Sequence, residues 1–291
     1  MAFYHGPAVL RRRTYPRLLV RGLVLFAVCM TAFAALASRE WHSAAAGRDA
    51  ALADYIALEA QGMGQANPAL ARQLALVADR LSPTLQATST LLDATAGAVP
   101  AAQAVGGTPV PAAAPAPASA LAAARRALAS TRAFTQVTAT TLSQSAQLFV
   151  AAGANEVVYL WNLTATQGPT LEATLTGPRS PIIRVALNRD RGRLAVATSA
   201  GHIWLFATSD AVRASLIATL TVATRGLRTL AFSPNNQVLT VSRGHHLSGW
   251  FFRPYQAATE VCALAVTPLS AEQWAQYVPE LAYRPPCPAA G

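Results

Sequence analysis

The chain has 291 residues and a net charge of +10, with 23 basic and 13 acidic residues. Its length is sufficient for one or two domains. Five arginines lie directly before an apolar stretch or near its start, and no basic stripe with interleaved aromatic residues occurs elsewhere, so the charge argues against nucleic-acid binding and indicates membrane topology. The five are Arg11, Arg12, Arg13, Arg17 and Arg21.

The apolar stretch covers residues 18–38 and follows a basic N-terminus of residues 1–17. A spanning helix needs about 20 apolar residues, so we expect a single transmembrane helix that anchors the protein in the cell membrane. The arginines place the N-terminus in the cytoplasm and the C-terminal part on the other side. The small residues Ala35 and Ala37 before Ser38 also fit a cleaved export signal, which would leave a secreted protein.

Residues 39–97 are predicted to form a helical spacer with two short antiparallel helices. In residues 67–81, Asn67 is suited to the N-cap, a proline follows at the first helical position, and leucines recur on one face. Residues 82–97 repeat this scheme, with Ser82 as the expected cap.

A linker rich in proline and alanine follows at residues 98–119. Frequent proline prevents both a helix and a strand ladder, so we expect a semi-extended domain boundary. The next domain is predicted to cover residues 120–291. Its first stretch, residues 120–130, fits either a short helix or a lead-in strand.

An internal repeat occupies most of this last domain. The sequence ATLT occurs at 173–176 and again at 218–221, which is 45 residues later. Apolar residues at three further places recur with nearly the same period, and such agreement indicates a true repeat. The three places hold Leu142, Leu187 and Phe232; Leu148, Leu194 and Val238; and Trp161, Phe206 and Trp250.

Each repeat contains four apolar β runs joined by short turns. In the middle repeat the runs are 182–187, 193–198, 202–206 and 215–221. Four antiparallel strands in a unit of this length form one blade of a β-propeller. The sequence therefore predicts a mainly β domain of three four-stranded blades, preceded by the transmembrane helix and the small helical segment.

Several stretches carry a resemblance to the WD40 family. Residues 228–242 (RTLAFSPNNQVLTVS) resemble the first half of a WD40 repeat, and residues 158–162 (VYLWN) resemble its Trp-Asp ending. Residues 175–178 resemble the Gly-His junction, and the tail at 260–287 is similar to that of actinobacterial WD40 proteins. In those proteins a propeller often follows a transmembrane helix and a helical segment, so the resemblance implies an interaction or sensing scaffold outside the membrane.

The repeats depart from the family pattern at the polar residues that brace WD40 blades. Pro178 replaces the histidine, Ala200 and Gly244 replace the turn aspartate, and Phe206 replaces one tryptophan. We therefore expect the blades to be held together by their apolar faces. A partly satisfied buried network would be worse than none.

Three blades are fewer than the about 4–8 of most propellers. One alternative is that a second copy completes a ring of six blades as a homodimer. In the others, the blades form a collapsed or open β structure, or the chain is a vestigial fragment of a larger WD40 protein.

Cys262 and Cys287 both lie in the part that is predicted to be exported, where thiols tend to oxidise. A disulfide would hold the tail against the last strand and contribute about 3 kcal/mol in the loop-entropy model. Two free thiols are the alternative. The histidines and cysteines show no spacing typical of a metal site, and no catalytic or phosphate-binding motif occurs. We therefore expect no enzyme, no metal and no cofactor.

The sequence thus predicts a non-catalytic scaffold that presents a β surface to an unknown protein or envelope partner. The alternative is an exported module that binds envelope saccharide. That alternative requires exposed aromatic side chains, and the candidates are Trp250, Phe251, Phe252 and Tyr255.

Overall fold

The computed structural model describes residues 15–97, 118–130, 136–143, 145, 147–164, 168–210, 213–244, 246–265 and 267–287. The chain forms two compact units, Met1–Asp49 and Ala50–Gly291. Most of the predicted linker at 98–119 lies outside the described residues, and so does most of the basic N-terminus.

The first unit contains most of a long helix, α1 (Tyr15–Met63). The predicted transmembrane helix over 18–38 is wrong, because no helix within the described residues has an apolar stretch long enough to cross a membrane.

The helix α2 (Pro68–Leu81) begins as predicted. The side chain of Asn67 accepts a hydrogen bond from the backbone N–H of Leu70 at 3.2 Å, so it satisfies one of the free donors in the first turn.

The helix α3 (Leu85–Asp93) begins later than predicted. Thr84 is its N-cap and accepts a hydrogen bond from the N–H of Ala87 at 3.1 Å. Ser82, the predicted cap, instead ends α2, where its backbone N–H donates to the carbonyl of Ala78. The proline after Ser82 favours this extended backbone and separates the two helices.

These helices share a core with the C-terminal tail. The last turns of α1 and the buried faces of α2 and α3 pack against Trp274 of α6 (Ala271–Tyr277). The end of α1 from Ala50 onward, together with α2, α3 and α6, therefore belongs to the same compact unit as the sheets.

Residues 120–130 are helical and belong to α4 (Ala118–Ser130), so the helical alternative holds. The buried alanines of α4, among them Ala124 and Ala127, pack against the aromatic residues Phe149, Tyr159 and Trp161 of the first sheet. An alanine-rich helix face lets the backbone approach these large rings closely.

Eleven described strands form three antiparallel sheets, which we call blades 1, 2 and 3. Blade 1 contains β1 (Val137–Leu142), β2 (Leu148–Gly153), β3 (Val158–Asn162) and β4 (Thr170–Leu175). Blade 2 contains β5 (Ile182–Leu187), β6 (Arg193–Thr198), β7 (His202–Ala207) and β8 (Ser215–Thr221), which confirms the four runs of the middle repeat. Blade 3 contains β9 (Leu227–Phe232), β10 (Val238–Arg243) and β11 (His246–Phe251).

Blade 3 has three described strands, so the prediction of three four-stranded blades is wrong for this repeat. The chain enters α5 (Pro254–Leu264) directly after β11, with Arg253 as N-cap. Pro254 has no N–H for a strand ladder but fits the first turn of a helix, and alanines follow it.

Strand pairing gives the repeat a common register. In each blade, equivalent residues of three neighbouring strands lie opposite one another: Leu142, Phe149 and Trp161; Leu187, Leu194 and Phe206; Phe232, Leu239 and Trp250. Phe149 and Leu239 are thus the true counterparts of Leu194, and the predicted alignment with Leu148 and Val238 is displaced by one residue. Each ladder has a buried aromatic residue on its third strand and a half-buried apolar residue on its first.

Apolar faces hold the blades side by side. One cluster joins blade 1 to blade 2, and a second joins blade 2 to blade 3 together with α3 and α5. The helix α4 covers the other face of blade 1. On blade 3, the face opposite Leu239 exposes Thr229, Ala231 and Leu247. The described strands therefore form three blades side by side, and α4 covers the outer face of blade 1.

Candidate functional site

A cleft of about 600 Å³ lies among α1, α2, α3 and the outer edge of blade 2, and we call it the polar cleft. Most of its wall consists of small residues contributed by the three helices. Its polar side chains include Gln61, Arg72, Thr90 and Asp93, and Thr221 of β8 also lines it. The volume falls in the range of small-molecule sites, about 300–1,000 Å³.

The helix α3 forms one side of the polar cleft and also covers the free edge of β8. Ser89 Oγ accepts a hydrogen bond from the N–H of Thr219 at 2.9 Å. The carboxylate oxygens of Asp93 accept from the N–H of Thr221 at 3.1 and 3.2 Å. An edge strand has unpaired N–H groups, so these side chains replace a neighbouring strand as hydrogen-bond partners.

Asp93 is the most perturbed acid of the described residues. Burial raises the pKa of its carboxyl group from 3.8 to about 7, although the hydrogen bonds from Thr221 oppose this change. None of the ion pairs within the described residues involves Asp93 or Arg72. Among the described residues, Asp93 is thus a half-buried carboxyl group without an ion-pair partner, and it faces the polar cleft.

Two further hydrogen bonds hold the walls of the polar cleft. Gln61 Nε2 of α1 donates to Thr90 Oγ1 of α3 at 3.0 Å. Arg72 Nε of α2 donates to the carbonyl oxygen of Ala94 at 3.2 Å, directly after the end of α3. The cleft is thus preorganised by side-chain bonds among its three helices.

A second concave surface, the tail groove, lies between α2 and the C-terminal tail and has a volume of about 500 Å³. Trp274 and Leu281 supply apolar surface to it, and Arg80 and Arg284 supply positive charge. Its lining is Val77, Arg80, Leu81, Trp274, Leu281, Ala282, Arg284, Pro285 and Pro286.

Hydrogen bonds and a covalent bond fix the tail that forms this groove. Trp274 Nε1 donates to the carbonyl oxygen of Leu281 at 2.8 Å, and Arg80 Nη1 donates to that of Pro286. Cys262 and Cys287 form a disulfide, which joins the tail to α5. We expected the tail to be held against the last strand, but Cys262 lies in a helix.

The aromatic residues proposed for saccharide binding do not form an exposed surface. Trp250, Phe251 and Phe252 are buried at 2%, 7% and 0% exposure, and Tyr255 alone of the four is exposed, at 83%. The saccharide hypothesis required these rings on the surface, so the observed burial excludes a site built from them.

The sequence predicts that the polar bracing network of WD40 blades is largely lost, and three described residues at its positions make no side-chain hydrogen bond to another blade. Pro178, at the histidine place, is buried, and Trp250 Nε1 is buried without a hydrogen-bond partner. Thr198 Oγ1 donates to the carbonyl of His202 within its own hairpin. Apolar clusters join the blades, and turn residues add polar contacts between them, such as the hydrogen bond from the N–H of Arg189 to Asn236 Oδ1 at 3.2 Å.

The predicted sites do not include Arg72 or Asp93 of the polar cleft, or Arg284 of the tail groove. One signal was present in the sequence, because Asp93 is the last residue of α3. An acidic residue at a helix C-terminus is opposed by the helix dipole, which indicates that another interaction keeps it there.

No protein-family model matches the chain, and no curated protein is similar to it. Two solved structures with partial similarity are WD40-type propeller proteins. Sqt1 of Saccharomyces cerevisiae is 18% identical, with a TM-score of 0.33 over 36% of this chain and 28% of that chain. A structure of the mitotic checkpoint complex is 19% identical, with a TM-score of 0.34 over 40% of this chain and 34% of that chain.

The chain thus spans about a third or less of the length of those two proteins. Both TM-scores are below 0.5, so the description of the blades rests on the strand pairing of this chain. The relation to actinobacterial proteins stays a prediction.

Proposed function

We propose that this protein is a non-catalytic interaction scaffold that works in an oxidising compartment outside the cytoplasm. In this proposal, the tail groove binds an extended acidic segment of a partner protein. The observation that carries the proposal is the combination of apolar and cationic side chains in one preformed groove.

The residue types of the groove suit protein recognition. Tryptophan, tyrosine and arginine are enriched at the energetically important positions of protein interfaces. Trp274 lines the groove but is itself buried, and Tyr283 packs edge-on against it with ring centroids 5.8 Å apart and is 46% exposed. Of these two rings, Tyr283 is therefore the one that offers aromatic surface beside the groove, and its packing against Trp274 fixes its orientation.

The charge of the groove favours an acidic partner. Its two charged lining residues, Arg80 and Arg284, are both cationic. Arg80 is committed to the carbonyl of Pro286, whereas Arg284 is exposed. Arginine binds carboxylates through two parallel hydrogen bonds, so Arg284 is the group that would select glutamate or aspartate in the partner.

The disulfide supports the choice of compartment. Disulfides persist in extracytoplasmic environments and are rare in the reducing cytoplasm. In this chain the Cys262–Cys287 disulfide also holds the wall of the tail groove. In this proposal, partner binding at the tail groove therefore depends on formation of the disulfide.

The test uses the full chain and fluorescein-labelled decapeptides that alternate leucine or phenylalanine with glutamate. We expect these peptides to raise fluorescence anisotropy on binding, and peptides with lysine in place of glutamate to bind at least about tenfold more weakly. Arg284→Glu should abolish the preference. Arg225→Glu, an exposed arginine outside the groove, is the matched control. Equal binding of both peptide sets, or an unchanged preference in Arg284→Glu, would contradict the proposal.

A further inference from the structure

The polar cleft contains two opposite charges that do not pair with each other. Arg72 and Asp93 are the charged residues of its lining, and the described residues show no ion pair between them within 4.0 Å. The groups contributed by α1, by the turn after it and by β8, including Gln61, Gln65 and Thr221, are uncharged. A ligand with both charges would satisfy both side chains.

We propose that the polar cleft binds a free amino acid with a large apolar side chain, whose carboxylate contacts Arg72 and whose ammonium group contacts Asp93. This inference is independent of the tail groove, which shares no lining residue with the polar cleft.

Arg72 is held in a suitable position for a carboxylate. Its Nε donates to the carbonyl of Ala94 at 3.2 Å, which fixes the plane of the guanidinium group. Fixing one nitrogen in this way leaves the two terminal nitrogens for a ligand. Arginine recognises carboxylates through such a pair of donors.

Asp93 is suited to an ammonium group because its ionised carboxylate has no ion-pair partner among the described residues. Its hydrogen bonds come from the backbone of Thr221, and desolvation dominates its titration, with a pKa of about 7. An ammonium group nearby would favour the ionised carboxylate and lower this pKa. Binding at neutral pH should therefore release a proton from Asp93.

The walls of the polar cleft leave room for an apolar side chain. Its lining includes Ala60, Ala71, Ala75, Ala94 and Pro68, none of which projects far into the space. The volume of about 600 Å³ exceeds what a very small amino acid fills, so apolar contact should favour leucine, methionine or phenylalanine over glycine.

Occupancy of the cleft would also affect the blades. The carboxylate that would bind the ligand is the one that accepts the N–H of Thr221 at the edge of blade 2. An ionised Asp93 paired with a ligand would accept this bond without the cost of an unpaired, partly desolvated charge. The ligand should therefore strengthen the docking of α3 on β8.

The test is calorimetry of the full chain with leucine, methionine and phenylalanine at pH 7, in two buffers of different ionisation enthalpy. We expect a dissociation constant below about 1 mM and release of about half a proton per ligand, since a group with a pKa near 7 is half protonated there. Isoamylamine and 4-methylpentanoate each lack one of the two charges of leucine. They should bind at least about tenfold more weakly than leucine.

Three variants complete the test. Asp93→Asn should abolish the proton release, Arg72→Gln should weaken leucine binding at least about tenfold, and Arg225→Gln should change neither. Thermal unfolding verifies that each variant is folded. The wild-type proton release provides evidence that does not depend on any variant. Absence of binding by all three amino acids, or binding of leucine without proton release, would overturn the proposal.

Discussion

The side-chain oxygen of Asn188 accepts a hydrogen bond from the backbone N–H of Arg193 at 2.8 Å and closes the first hairpin of blade 2. Ser143 and Ser233, at the equivalent places of blades 1 and 3, accept the corresponding bond at 2.9 Å. All three residues are buried. Asn188, which departs from the sequence pattern of the repeat, therefore makes the same turn-closing hydrogen bond as the two serines.

This equivalence predicts that Asn188→Ala destabilises the protein. The substitution leaves the half-buried N–H of Arg193 without its side-chain acceptor, at a cost of about 1–3 kcal/mol. Asn188→Ser should be at least as stable as wild type, because Asn188 Nδ2 is buried without a partner and serine removes that donor. Urea unfolding measures both variants. A serine variant that is no more stable than the alanine variant would refute this account.

A second prediction concerns the pH dependence of stability. The pKa of Asp93 is about 7 in the folded protein and its ordinary value is 3.8, so the folded state holds this proton more tightly than the unfolded state. The contribution of Asp93 to stability is therefore most favourable below about pH 4, falls as the pH rises, and is constant above about pH 7. Asp93→Asn keeps an acceptor for Thr221 and removes this titration.

We thus expect Asp93→Asn to be more stable than wild type by about 1–4 kcal/mol at pH 8, with the difference shrinking toward pH 4. Urea unfolding at a series of pH values provides the measurement. Asp210→Asn removes a carboxylate that is mostly exposed and is the matched control. A parallel pH profile for wild type and Asp93→Asn would show that Asp93 does not titrate in this range.

The repeats and the helices could be predicted from the sequence for a physical reason. The residues that define them act locally: Asn67 caps the turn that it precedes, and the ladder of Leu187, Leu194 and Phe206 links neighbouring strands. Period and turn chemistry therefore predicted the middle blade strand by strand. The missing fourth strand of blade 3 followed from Pro254, whose preference for a helix start outweighed the β pattern of the repeat.

The polar cleft could not be predicted in this way. Asp93 and Thr221 are 128 residues apart, and no local pattern brings a helix end to the edge of a distant blade. The burial that raises the pKa of Asp93 is likewise a product of packing. No periodic pattern in the sequence indicates that α3 packs against β8.

A third prediction concerns the disulfide. Reduction of the Cys262–Cys287 bond should lower the stability of the wild type by about 2–4 kcal/mol, because the unfolded chain regains the entropy of the open loop. Thermal unfolding with and without a reducing agent measures this change. The double variant Cys262→Ser and Cys287→Ser should resemble the reduced wild type and be insensitive to the reducing agent. A wild type that unfolds at one temperature in both conditions would contradict the prediction.

The last prediction concerns α4, which covers the outer face of blade 1. Ala127 is completely buried against the aromatic cluster that includes Phe149 and Trp161. An aspartate at this position would place an unpaired charge in an apolar contact, so Ala127→Asp should displace α4 and expose this face. Ala129→Asp adds the same charge at an exposed position of the same helix and is the matched control.

Exposed apolar sheet faces promote association, so we expect Ala127→Asp to be less stable than Ala129→Asp and to form larger species as its concentration rises. Light scattering after size-exclusion chromatography measures the molar mass, and tryptophan fluorescence reports the exposure of Trp161. If two chains formed a ring of six blades, the wild type would already be a dimer, because the interface between the chains would cover the outer face of blade 1. If Ala127→Asp and Ala129→Asp have the same molar mass and stability, α4 does not protect this flank.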